Sequence, residues 1–132
     1  MLYLAGASDE TASRAGLRFA PLPPGESWRM AAGAAWARVD RLAPVPLLPE
    51  LGWEVSRIFP HQAIDAASLR PGDETLVGWI EGWLANPGAF AIRRAEGRGR
   101  LLATTFRFED AYGVDPVATL LLNRLVALLL EA

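Results

Sequence analysis

Three glutamates, one histidine and a short run of glycines and arginines are the residues of this chain whose types could do chemistry. Glu54, Glu81 and Glu109 sit at or near the ends of apolar stretches. Two carboxylates flanking a bond are the machinery of glycoside hydrolysis, but that machinery needs a deep cleft on a rigid scaffold. The three are therefore expected as solvated charges at strand ends. His61 follows Pro60 and is the single histidine, so a multi-histidine metal site within one chain is excluded. Ser8 follows Gly6-Ala7, a spacing that does not make a Gly-x-Ser-x-Gly elbow, and helix capping is its expected role. The absence of cysteine excludes disulfides, thiolate catalysis and thiolate-ligated metals. Gly97-Arg98-Gly99-Arg100 has the look of an anion cradle, yet the glycines of a tight hairpin account for it. Arg93, Arg94, Arg98 and Arg100 could form a basic edge, with a solvated hairpin as the commoner outcome. Of Trp28, Trp36, Trp53, Trp79 and Trp83, the pair Trp79 and Trp83 lies near a strand end. Tryptophan stacks on sugar rings and also anchors interfaces, so this pair is the candidate sugar platform, with core packing as the commoner outcome.

These residues must be held by the elements around them. Leu2–Ala5 reads as a short apolar strand, and Ser8 or Asp9 can cap a short helix that stops at Gly16. Leu17–Ala20 is extended, and Pro21, Pro23, Pro24 and Gly25 enforce a loop. Trp28–Met30 and Ala34–Val39 read as short strands, with a helix over Met30–Ala37 as the alternative. Pro44, Pro46 and Pro49 exclude regular structure over 42–50. Trp53–Phe59 alternates with a period of two and reads as a strand ended by Pro60. His61–Leu69 is expected as a loop or helical turn, Thr75–Glu81 as a strand, and Asn86-Pro87-Gly88 as a turn. Ala89–Arg94 and Arg100–Phe108 form a hairpin around Gly97. In its second strand Leu102, Phe106 and Phe108 share one face, opposite Leu101 and Ala103. Asp115-Pro116 opens the final helix as N-cap and N1. Its stripe Val117, Leu121, Leu125 and Leu128 is widened by further leucines, so more than one neighbour is expected to bury it.

Composition sets wider bounds. At 132 residues the chain fits one domain with a useful core. It is 52% hydrophobic, which points either to a large core or to apolar surface that meets another subunit or domain. All thirteen basic residues are arginine, but fifteen acids give a net charge of −2, so the footprint of a nucleic-acid binder is absent. The N-terminus lacks a basic region followed by a long apolar one, and the run Val117–Leu130 is too short and too interrupted to span a bilayer. A cytoplasmic setting without membrane or nucleic-acid partners follows.

The string Gly97–Leu130, with its Gly-Arg-Gly-Arg, the strand Leu101–Phe108 and Asp115-Pro116-Val117-Ala118 opening an apolar helix, resembles the end of the class I glutamine-amidotransferase-like fold. It looks most like the degenerate version at the C-terminus of some family 2 glycoside hydrolases, the β-galactosidase and β-glucuronidase relatives. The resemblance implies an α/β, three-layer, flavodoxin-like sheet with an added antiparallel hairpin, truncated at its N-terminus. Active members of that fold use a cysteine on a strand–turn–helix elbow with a histidine and a glutamate after a late strand. The matching positions here are Ala5, Arg107 and Glu109. An arginine stays protonated near neutral pH and cannot act as a general base. The resemblance thus implies a degenerate triad with only the glutamate kept in type.

These readings converge on a single domain over 1–132 that needs no cofactor or metal and has no catalysis of its own. Its expected role is an accessory or oligomerisation module associated with a glycoside hydrolase, partnered by a second copy or by the remainder of that chain. A carbohydrate-binding module using Trp79 and Trp83, and a small hydrolase with an unrecognised site, are the alternatives.

Overall fold

The computed structural model of the protein describes residues 2–4, 13–23, 33–82 and 86–131. Among them the strands are β1 (Leu2–Leu4), β2 (Phe19–Pro21), β3 (Ala34–Ala37), β4 (Gln62–Asp65), β5 (Glu74–Glu81), β6 (Asn86–Glu96) and β7 (Gly99–Thr104). Two α-helices accompany them, α1 (Val39–Leu42) and α2 (Pro116–Leu130), together with 3-10 turns at Trp53–Ile58 and Ala66–Ser68.

All seven strands join one sheet around β6. One edge of β6 takes β5, which carries β3 beyond it. The other edge takes β4 and then β2 near Gly88, and β7 and then β1 from Ala91 onward. Of these pairings only β1 with β7 is parallel, with Leu2 opposite Leu102; the rest are antiparallel. The expected three-layer, flavodoxin-like α/β sheet is therefore wrong. Parallel neighbours need crossovers of about a dozen residues or more, usually helical. Here β5 and β6, and β6 and β7, are joined by short reversals, the second at Gly97 with φ +57°. Such connections allow only hairpins.

The helix signals are met as read. The Asp115 carboxylate accepts the Ala118 N–H at 2.9 Å, and Pro116 stands in the first turn. Below that cap Ala118, Leu121, Leu125 and Leu128 are buried against the sheet and the Trp53–Ile58 turn. Each buried leucine contributes about 1.5–3 kcal/mol relative to exposure. More than one neighbour thus buries this face of α2, as expected, while Leu120 and Leu130 on its other side are exposed.

The two sheet faces carry separate cores. Leu102, Phe106 and Phe108 point to the α2 side with Val77, Trp79, Phe90 and Ala91. Leu101 and Ala103 point to the other side with Ile64, Ala89, Ile92, Ala15 and Leu17. Strict alternation fails once in β6, where Phe90 and Ala91 both serve the α2 side. The β5–β6 register shifts there, leaving Leu76 and Phe90 without a cross-strand partner in this pair. The Phe90 carbonyl instead accepts the Thr105 N–H and the Thr104 hydroxyl, each at 2.9 Å.

Trp53–Ile58 is a 3-10 turn, not a strand. Trp53 is 83% exposed, while Glu54, Val55 and Ile58 are buried. A carboxylate reads as solvent-facing in a period-two pattern. Glu54 is buried because it accepts the Leu48 and Gly52 N–H groups at 3.1 and 3.2 Å. Two further corrections follow along the chain. Residues 62–65 form β4 where a loop or helical turn was expected, and the Asn-Pro-Gly sequence expected as a turn opens β6.

Candidate functional site

The sequence candidates are dispersed. Glu54 is a loop staple held by two backbone donors. Glu81 is buried at the end of β5 and accepts Asn86 Nδ2 at 3.4 Å. Glu109 is exposed in the loop between β7 and α2. Glu81 and Glu109 line separate cavities and Glu54 is spent on backbone donors, so these residues do not assemble a glycosidase pair. His61 is exposed, and its carbonyl accepts the Leu22 N–H at 2.9 Å. Ala5, Ser8, Asp9, Trp28 and Trp83 lie outside the described residues. No group of three acidic or histidine side chains among the described residues is placed to hold a metal ion. No described helix is long and apolar enough to cross a membrane.

Trp79 is 5% exposed. Its indole stacks on Phe90 at 5.4 Å between centroids and abuts Gly33, where an added Cβ would lie 2.2 Å from the ring. A sugar platform needs a free ring face, so Trp79 is corrected to a core residue. The little of it that is exposed lines the groove of about 570 Å3 between Pro21, Ile64 and Gly88, which Asp65, Glu81 and Asn86 also line.

Arg94 departs from the solvated hairpin expected of Arg93, Arg94, Arg98 and Arg100. Arg94 is 2% exposed and fully engaged. Its Nε and Nη2 donate to Asp73 at 2.8 and 2.6 Å, Nη1 donates to the Ala15 carbonyl at 2.6 Å, and Nη2 also reaches the Ser68 carbonyl at 3.0 Å. Burial alone would push the Asp73 carboxyl up. The Arg94 hydrogen bonds, the Arg70 N–H and the nearby positive charge outweigh it and hold that carboxyl below its usual range. Arg93 joins a second network, with Nη1 3.3 Å from Glu74 and Nη2 donating to the Glu131 carbonyl at 3.1 Å. Arg41 bonds both Glu74 and Glu131, and Arg124 donates from Nε to the Arg41 carbonyl at 2.8 Å. This network pins the end of α2 to α1 and to the sheet.

Two of the positions singled out from the sequence do come together. Arg107 and Glu109 line one cleft of about 200 Å3, with Arg57, Asp110 and Ala111. Arg107 is held from both ends, its N–H on the Ile58 carbonyl at 3.0 Å and its Nε on the Phe59 carbonyl at 2.8 Å. Sequence reasoning did not single out Arg57 or Asp110. The signal available for Arg57 was a cation between the core residues Val55 and Ile58.

On α2 the exposed positions are Pro116, Leu120, Asn123, Ala127 and Leu130. Their spacing alternates between four and three, which draws one seam along the helix, and none of them is charged. Tyr112 and Val114 extend that surface into the preceding loop, where both are exposed. In comparisons with known proteins, no family model, no curated protein and no solved structure matches the chain.

Proposed function

We propose that the chain is a non-catalytic oligomerisation and accessory module of a carbohydrate-active enzyme, in which α2 packs against α2 of a second copy. The observation that carries this is the uncharged seam Leu120–Asn123–Ala127–Leu130 on the solvent side of the helix. Alternating three- and four-residue spacing is the pattern by which one helix presents a continuous stripe to another. Ala127 allows close approach. Asn123 accepts the Tyr112 hydroxyl through Oδ1 at 3.1 Å, which leaves its Nδ2 to donate across an interface and fix register. A seam without charge meets its own copy without like-charge repulsion. The link to a glycoside hydrolase rests on the resemblance of Gly97–Leu130 and carries the class of partner enzyme, not the architecture.

The test is light scattering on the purified chain. A dimer is expected, and the double variant Leu120→Glu, Leu130→Glu should run as a monomer with an unchanged circular dichroism spectrum. A wild-type chain that stays monomeric across the accessible concentration range sinks the reading. Turnover of chromogenic glycosides by the chain alone would remove its non-catalytic half.

The groove beside β6 favours a second reading as a carbohydrate-binding module. Its size suits one or two sugar rings, and Asp65, Glu81 and Asn86 supply groups that hydroxyls can bond. Calorimetric titration with oligosaccharides, compared between the wild type and Asn86→Ala, tests it.

A further inference from the structure

We infer that the cleft between the Trp53–Ile58 turn and the loop after β7 is a binding site for a small hydroxylated carboxylate, the chemistry of a sugar acid. Its lining carries both charges, Arg57 and Arg107 together with Glu109 and Asp110. No ion pair joins any of the four to another described residue. Elsewhere on this protein arginines near carboxylates close on them, as Arg94 does on Asp73 and Arg70 on Glu96. Here the charges stand apart around a cavity of about 200 Å3, below the usual range of about 300–1,000 Å3 for drug-sized ligands and suited to a single small molecule.

The cleft is also partly pre-organised. Arg107 Nε is committed to the Phe59 carbonyl, which fixes the plane of the guanidinium and leaves its two terminal nitrogens as donors. An arginine held in that way offers a carboxylate a paired set of hydrogen bonds at little ordering cost. Arg57 makes no side-chain bond to another described residue and is free to close over the same anion. Glu109 and Asp110 are acceptors when ionised, so the ligand must bring donors of its own. Hydroxyl groups on a carboxylate frame satisfy both kinds of group, whereas a bare anion would meet two like charges. This inference does not depend on the proposed dimer, because none of its residues lies on the α2 seam.

The probe is D-glucuronate, titrated into the full chain and followed by calorimetry and by two-dimensional NMR. Glucose, which lacks the carboxylate, and acetate, which lacks the hydroxyls, serve as paired controls. Saturable binding of glucuronate is expected, with both controls weaker by about tenfold or more. Arg57→Gln should weaken glucuronate by about tenfold while leaving the melting temperature in place, since that side chain holds nothing else. Glu109→Gln should weaken glucuronate and narrow the gap to acetate. Absence of saturable glucuronate binding overturns the assignment. So does acetate binding as well as glucuronate, which would mark a simple anion site, or an Arg57→Gln variant that binds as the wild type does.

Discussion

Arg94 and Arg107 both lie along the path of the central hairpin, and both donate to backbone carbonyls, yet they stand in opposite circumstances. Arg94 sits within β6 on the face opposite α2, and every group it can donate to comes from a different stretch: Ala15, Ser68 and Asp73. Arg107 sits just past β7 at the mouth of a cleft, with one nitrogen spent on Phe59 and the rest facing an open space. The first charge is dry and compensated, so it binds the protein to itself. The second is wet and uncompensated, so it is available to something else. Arginine alone decides neither outcome; the number of acceptors the fold delivers within reach does.

The largest break in this comparison is expected at Asp73. Asp73→Ala leaves Arg94 buried without its carboxylate, and the loss should be about 3–5 kcal/mol by denaturant unfolding. Arg94→Met, which removes the charge and keeps the bulk, should cost less than that. The pair also sets a pH dependence. The folded carboxyl titrates below the unfolded one, so its contribution is fully present above the ordinary aspartate value of about 3.9. That contribution disappears as pH falls through the folded value, and unfolding curves in acid should show a slope that Asp73→Asn removes.

A smaller effect follows from the packed side of the sheet. Gly33→Ala drives a methyl to 2.2 Å from the Trp79 indole, which is already backed by Phe90. About 1–3 kcal/mol of destabilisation is expected. Gly78→Ala makes an equally close approach to Trp36, but that ring is partly exposed and can turn aside, so its cost should be the lower of the two. Asp115→Ala removes the cap of α2 and should cost about 1 kcal/mol, read from the thermal midpoint. Smallest of all, Arg57→Gln should stay within about 0.5 kcal/mol of the wild type. A large loss there would erase the contrast between the two arginine sites.

The legible parts of this chain were those fixed by local rules. Gly97 marked its hairpin, Asp115-Pro116 marked the start of α2, and Leu101 and Leu102 were assigned to opposite faces, as the two cores have them. Architecture was misread because a hairpin strand, a loop and a capped helix look the same locally in a parallel and in an antiparallel sheet. What separates the two is the length of the earlier connections, and those were obscured by errors at Trp53–Ile58 and Gln62–Asp65. Trp53 and Val55 mimic a strand, while the backbone donors that bury Glu54 come from residues no periodicity relates to it. The Arg94 clamp was hidden for a similar reason: its acceptors are backbone carbonyls and one turn aspartate, brought together only by the finished sheet. The cleft was half visible, since Arg107 and Glu109 were singled out, but Arg57 joins them through space.

The parallel pairing of β1 with β7 has a consequence for how the molecule assembles. Leu2 finds its partner in Leu102, and Ala15 is gripped by Arg94, so β1 and Ala15 both depend on a hairpin far from them in sequence. Closing such distant pairs is slow relative to local contacts. The β6–β7 hairpin, a local unit, is therefore the template on which β1 docks.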